Sequence, residues 1–225
     1  MSAPDGRDGV ADLLQQLCQT LTSDLAVMGA AMNLMSAAGT TNGVVAASDD
    51  HSRDVDELQF ATGEGPCHEA FAARRPVLTP DLRTVVDDHW PGYSSAALDA
   101  GVGAVFAFPL QVGAVVLGVM DVHTDRPGSL SQEQVAAALT CAQLATEILI
   151  DGHLFGTDGQ LDRDLSTVLD HRAEIYQAQG MAVVDLGVDP AEALARMRAH
   201  AFGNGQPLIG LARAIISGFV LPVDG

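Results

Sequence analysis

Cys67 and His68 stand side by side directly after Pro66, with Glu64 and Glu69 on either side. A proline at this point favours the first turn of a helix, and a cysteine near a helix N-terminus is biased toward its thiolate. Two chemistries follow from those residue types. A thiolate would serve redox or ligand contact. The imidazole with two carboxylates would offer metal ligands, although such clusters are common on helix surfaces. The plainer reading of Cys67 is a small buried side chain. Nothing else in the chain assembles a catalytic set. The other histidines, His51, His89, His123, His153, His171 and His200, make no convincing ligand group. There is no lysine, so no phosphate-binding loop of the G-x-x-x-x-G-K type, and no G-x-S-x-G elbow. The expectation is a protein that is not an enzyme and holds neither metal nor cofactor.

Cys18, Cys67 and Cys141 are odd in number, far apart and free of any C-x-x-C pair. That argues against a disulfide framework or a zinc site of cysteines and fits a reducing cytosol. Met1 to Val10 has no apolar core and does not read as a signal peptide. The charge is lopsided, with 29 acidic residues against 11 arginines and a net of −18. Such a surface repels nucleic acid and anionic membranes, so any contact with them must be local. Residues 160–225 are less acidic, with 5 Arg against 8 acidic residues. Hydrophobic residues make up 48% of the 225, enough for a sizeable core.

The elements that must position these residues follow from periodicity. Leu13, Leu14, Leu17, Leu21 and Leu25 recur at helical spacing. A first hairpin follows, its turn placed at Thr40-Thr41-Asn42-Gly43. Asp49–Asp56 reads as a charged loop or short helix near the surface. Glu64–Arg74 reads as a helix, Val77–Thr79 as a short strand, and His89–Ala100 as a helix or loop around Trp90, the only tryptophan. Ala100 to Met120 carries no charge over 21 residues, the length of a membrane span. Pro109, Gln111 and Gly113 in its middle make it instead a hairpin of strands 102–108 and 114–123. Ser131 with Glu133 and Gln134 caps a helix running to about Leu154. Three glycines in Gly152–Gln160 mark a boundary, giving domains 1–156 and 157–225. Beyond it, a coiled-coil-like helix over Leu161–Leu186, a helix from Asp189-Pro190 to about Phe202, and a third from Pro207 through about Val220 are predicted. Tyr176 and Phe202 are expected in the helix core. The tail has few residues for a core of its own and is expected to share a face with a partner chain. The fold class is an α+β domain, an antiparallel sheet flanked by helices, followed by an all-α three-helix domain.

The stretches Gly63-Glu64-Gly65-Pro66-Cys67, Arg75-Pro76-Val77-Leu78-Thr79-Pro80-Asp81, Trp90-Pro91, Phe108-Pro109-Leu110 and Leu117-Gly118-Val119-Met120-Asp121 resemble a GAF domain of the actinobacterial regulatory type. Ile175-Tyr176-Gln177-Ala178-Gln179-Gly180, Gly187-Val188-Asp189-Pro190-Ala191-Glu192-Ala193 and Leu208 with Leu211-Ala212 resemble an ANTAR domain, the RNA-binding module of transcription antiterminators. The resemblance implies a cytoplasmic, dimeric sensor that acts on a two-stem-loop RNA. It places a small-molecule or partner pocket between the sheet and its covering helices, with Cys67, His68, Phe71, Trp90, Tyr93, Phe106, Phe108 and Asp121 on its walls. It assigns RNA contact to Arg172, Arg196, Arg198, Asn204 and Arg213; the same arginines also read as a solvated helix face. The tail departs from the family where Gln179 replaces a basic residue, and at Gly205-Gln206-Pro207, where an Asn-Arg-Lys run is usual. Two other readings stay open. The tail is a dimerisation or protein-interaction module that no longer binds RNA. Or Cys67 serves a GAF-fold redox enzyme, resembling free methionine sulfoxide reductase, or a redox sensor.

Overall fold

The computed structural model describes residues 9–36, 41–85, 89–155 and 163–222, without the side chains of 41–42, 152–155 and 163–172. The first unit begins with α1 (Val10–Leu25), whose Leu14, Cys18, Leu21 and Leu25 form one buried stripe. Strands β1 (Gly29–Met35) and β2 (Thr41–Ala47) follow, then α2 (Asp50–Thr62), α3 (Pro66–Ala73), β3 (Val77–Thr79), α4 (Pro91–Asp99), β4 (Ala104–Val112), β5 (Val115–Thr124) and α5 (Gln132–Phe155). The five strands pair antiparallel in the order β2-β1-β5-β4-β3.

Alternation along β4 decides which helices cover which face. Ala104, Phe106, Phe108 and Leu110 point to α1 and α5, where Leu14, Cys18, Ala138, Cys141 and Ala145 meet them. Val105 and Ala107, with Val119 of β5, point the other way and pack with Cys67, Ala70, Trp90, Tyr93 and Ala97. Both faces of the hairpin are therefore buried over residues 104–110 and 118–123, while its tip at 111–115 is exposed. Burial on both faces accounts for the absence of charge over residues 102–110 and 118–120, and among the described residues no helix is long and apolar enough to cross a membrane. The expected reciprocal cap of α5 forms: Ser131 N–H donates to Gln134 Oε1 at 2.9 Å, and Gln134 N–H to Ser131 Oγ at 3.1 Å.

The second unit holds α6 (Arg163–Leu186), α7 (Pro190–Gly203) and α8 (Leu208–Ile216). Asp189 caps α7 by accepting from Glu192 N–H at 2.9 Å, with Pro190 in the first turn. Ala178, Ala182, Ala193, Ala201 and Ala212 let the three helices approach closely around Met197, Leu211 and Ile215. This core includes one residue of the first unit, Phe60 of α2, which is 3% exposed. The face expected to need a partner chain is thus closed in part by the chain itself.

Three expectations are corrected. Asn42 and Gly43 lie inside β2 rather than in the turn; the pairing of β1 with β2 slips twice here, and Gly43 takes φ 141°, so the glycine serves a bulge. The third tail helix ends at Ile216, not Val220: Gly218 at φ 104° sends its N–H back to Ile215, Phe219 donates to Ala214, and Leu221 folds in as a buried residue. Asp56 is not at the surface but 2% exposed.

Candidate functional site

Helix α2 sits on the sheet through a polar seam. Asp49 caps it, accepting from Ser52 N–H at 2.7 Å. One face of the helix carries Ser52, Val55, Asp56, Gln59 and Phe60, all buried. Opposite stand Asn33 of β1 and Asp121 and His123 of β5, each 1% exposed. The Gln59 amide nitrogen donates to Asp56 Oδ1 at 2.7 Å and to Asp121 Oδ2 at 2.8 Å. Asn33 donates to Asp56 Oδ2. Burial pushes the Asp121 carboxyl well above the usual carboxylate range, and Asp56 beside it raises it further. Burial also carries Asp56 up, to about 6. With both carboxyls buried on one amide, ionising the two together is disfavoured. Burial drives His123 the other way, down to about 4. Asp121 Oδ1 and His123 Nε2 make no hydrogen bond among the described residues.

The pocket residues build outward from that seam. Gln59 Oε1 accepts the Cys67 backbone N–H at 2.7 Å, and His68 Nε2 lies 3.1 Å from the Gln59 carbonyl oxygen. Gly65 permits this approach: it takes φ 134°, and a Cβ there would lie 2.6 Å from Gln59 Oε1. Glu64 Oε1 accepts the N–H groups of Gly92 and Tyr93, at 2.6 and 3.0 Å, and so caps the start of α4. The Gly63–Cys67 stretch therefore ties α2, α3 and α4 together. Cys67 is fully buried, Tyr93 1% exposed and Trp90 6% exposed, and Phe71 packs at their edge. Burial also raises the Tyr93 hydroxyl pKa well above its ordinary value. Six of the eight expected pocket residues stand on this side of the sheet: Cys67, His68, Phe71, Trp90, Tyr93 and Asp121. Phe106 and Phe108 do not. Strand alternation turns both rings to the α1–α5 face, so they pack the opposite core. Among the described residues no group of His, Cys, Asp or Glu could hold a metal ion.

In the tail, each described residue expected at RNA has a partner within the chain. Arg196 Nε lies 2.8 Å from Glu192 Oε1, one turn back on α7, and Arg213 Nε lies 2.7 Å from Glu174 Oε2 of α6. Asn204 donates to the His200 carbonyl at 2.8 Å. Arg198 is half-buried, its guanidinium carbon 5.1 Å from the Phe60 ring centroid. Gln179, where a cation is usual, donates to the Pro190 carbonyl at 2.6 Å. Arg172 falls on α6, but its side chain lies outside the described residues. Tyr176 and Phe202 are not core residues: they are 38% and 64% exposed.

Sequence reasoning missed Asn33, Asp56, Gln59 and Phe60. A signal for the α2 residues was present. Ser52, Val55, Asp56, Gln59 and Phe60 follow helical spacing, which puts the polar members on the same face as Val55 and Phe60.

A family model of the GAF domain matches residues 8–149, and one of the ANTAR domain matches residues 163–216. Among solved structures, the first unit is similar to the GAF domain of a phosphoenolpyruvate-protein phosphotransferase from Coxiella burnetii (14% identity, 68% of this chain and 89% of that chain, TM-score 0.53). It is also similar to the GAF domain of an Acinetobacter phosphoenolpyruvate-protein phosphotransferase (12% identity, 68% and 89%, TM-score 0.52). A GAF domain/HD domain protein from Geobacter sulfurreducens is a further likeness (15% identity, 65% and 95%, TM-score 0.50). At these identities the likeness is one of fold. No curated protein matches. With more than half of its length matched by the GAF model and an ANTAR match behind it, the chain belongs to the GAF domain family, as a GAF-ANTAR protein.

Proposed function

We propose that the protein is a signal-responsive, RNA-binding regulator of transcription antitermination, in which residues 1–156 sense and residues 157–225 bind stem-loop RNA. The observation that carries this reading is the order of the two domains, a GAF domain directly ahead of an ANTAR domain. The GAF unit takes up a small ligand or a partner on the α2–α4 side of its sheet, at Cys67, His68, Phe71, Trp90, Tyr93 and Asp121. The tail reaches RNA through Arg172, Arg196, Arg198, Asn204 and Arg213. No bond is made or broken, so the output is a shift in populations. The protein works as a homodimer in the cytoplasm. Leu139 and Leu144 of α5, each 46% exposed, supply apolar surface for a second copy.

The test is crosslinking and recovery of RNA on the full-length protein in its native cells, beside an Arg172/Arg196/Arg198/Arg213→Ala variant. Enrichment of paired stem-loops, lost in the variant, is the expected result. A second reading has its own observation: Gln179 stands where the family carries a cation, and its amide is engaged at Pro190. In that reading the tail binds protein instead, and a folded, dimeric protein that enriches no RNA would select it.

A further inference from the structure

We infer that α2 of the sensor is an intramolecular antagonist of the tail: it holds Arg198 of α7 in a seat that excludes this arginine from RNA. The inference rests on the RNA-binding reading above. Three observations define the seat. The guanidinium lies over the Phe60 ring at 5.1 Å, within cation–π range. Phe60 belongs to the sensor helix yet is buried in the tail's own core with Met197 and Leu211. Finally, Gly63 closes the seat: it ends α2 at φ 77°, and a Cβ on it would lie 2.7 Å from Arg198 Nη1. In this position Nε and Nη2 of Arg198 are shielded from solvent. A guanidinium shielded against a ring and a helix end cannot at the same time neutralise a phosphate.

The seat is wired to the sensing side. Gln59, the residue before Phe60, is bound to Asp121 of β5 and to the Cys67 backbone, and Asp56 lies one turn back on the same helix. A ligand or partner that shifts α2 on the sheet therefore shifts Phe60 and Gly63 beneath Arg198. Coupling of this kind is reciprocal, so RNA that draws α7 away also loosens α2.

Two variants of the full-length protein open the seat. Gly63→Asn fills the space at Arg198 with a residue that tolerates a left-handed backbone. Phe60→Leu keeps an apolar side chain in the core and removes the ring face. Each is checked for wild-type circular dichroism, and any that fails is set aside in favour of the other. Hydrogen exchange of the α7 amides reads the docking. Filter binding to a pool of hairpin RNAs with randomised loops reads the output. Faster exchange in α7 together with about tenfold tighter RNA binding is expected, as for a competent state populated at about a tenth in the resting protein. Unchanged exchange would overturn the seat itself. Faster exchange with wild-type RNA affinity would overturn the antagonism while leaving RNA binding intact. Faster exchange with no RNA retained by either protein would remove the RNA-binding reading, and the antagonism with it.

Discussion

The amide nitrogen of Gln59 lies 2.8 Å from Asp121 Oδ2, joining the middle of α2 to the centre of the sheet. The same side chain donates to Asp56 and accepts from the backbone of Cys67, so one residue holds three elements in register. Gln59→Leu keeps the volume and removes every one of these bonds, leaving buried acceptors and a buried N–H unmet. Each such loss costs about 1–3 kcal/mol, so about 3 kcal/mol or more is expected overall. Urea unfolding of the two proteins checks it. A loss under about 0.5 kcal/mol, the range of a neutral surface change, would mean that the seam does not hold α2.

The seam also gives stability an unusual dependence on pH. Burial holds Asp56 up at about 6 and Asp121 well above the usual range, so the folded state keeps protons that the unfolded chain releases from about pH 4. Their contribution is full below pH 4 and is lost as pH rises through the folded values. His123, held down to about 4, is the reverse: its contribution is full above about 6.5 and is lost as pH falls toward 4. The two slopes oppose each other between pH 4 and 6.5, with Glu57, Asp49 and His51 as the neighbouring charges. Asp121→Asn removes the second carboxyl and leaves an amide in its place. It should stabilise the protein at pH 8, where the buried wild-type carboxyl must either carry a charge or keep a proton that the unfolded chain releases. That advantage should shrink toward pH 5, where the wild-type pair holds its proton. Thermal unfolding across pH 5–8 shows whether the curves converge at acid pH; parallel curves would refute proton uptake by the buried carboxyls.

The order of elements was legible because each rests on local signals: the leucine spacing of α1, the Ser131 cap, Asp189-Pro190 ahead of α7. Which face a strand residue takes was less so. Phe106 and Phe108 sit in a strand buried on both sides, where no polar alternation reports direction, and only pairing with β5 assigns them. Asn42-Gly43 carried the chemistry of a turn and served a bulge, because bulges and turns ask for the same backbone freedom. Asp56 looked exposed because carboxylates usually are; the partners that let it be buried, Asn33 and Asp121, come from distant strands. The union of Arg198 with Phe60 had no sequence signal at all, since nothing at either residue names the other.

The same burial bears on Cys67. Its position after Pro66 suggests a reactive thiolate, yet the side chain is fully buried, and Cys18 is fully buried as well. Burial pushes the Cys18 thiol far up and the Cys141 thiol to about 12, so neither offers a thiolate at neutral pH. Alkylation by iodoacetamide at pH 7.5, followed by mass spectrometry, should leave all three cysteines at least tenfold slower than in 6 M guanidinium. Rapid labelling of Cys67 alone would revive the redox reading.

The paired arginines of the tail yield the last expectation. Arg213 and Arg196 are each held by a carboxylate at the surface, Glu174 and Glu192, and exposed pairs of this kind contribute only about 0–1 kcal/mol to stability. Their effect on RNA is larger, because each acid both occupies an arginine and repels phosphate. Glu174→Gln and Glu192→Gln should therefore leave the melting temperature within about 2 °C and tighten binding of a hairpin RNA pool by about two- to fivefold each. Glu133→Gln on α5, an exposed acid at the start of a sensor helix, removes the same charge and serves as the control. Filter binding at 0.1 M and 0.3 M salt separates a local contact from the general field, since the field is screened beyond about 10 Å at 0.1 M. A gain at the two tail positions and not at Glu133 places Arg213 and Arg196 at the RNA. Equal effects at all three would assign the gain to net charge alone and take these arginines out of the interface.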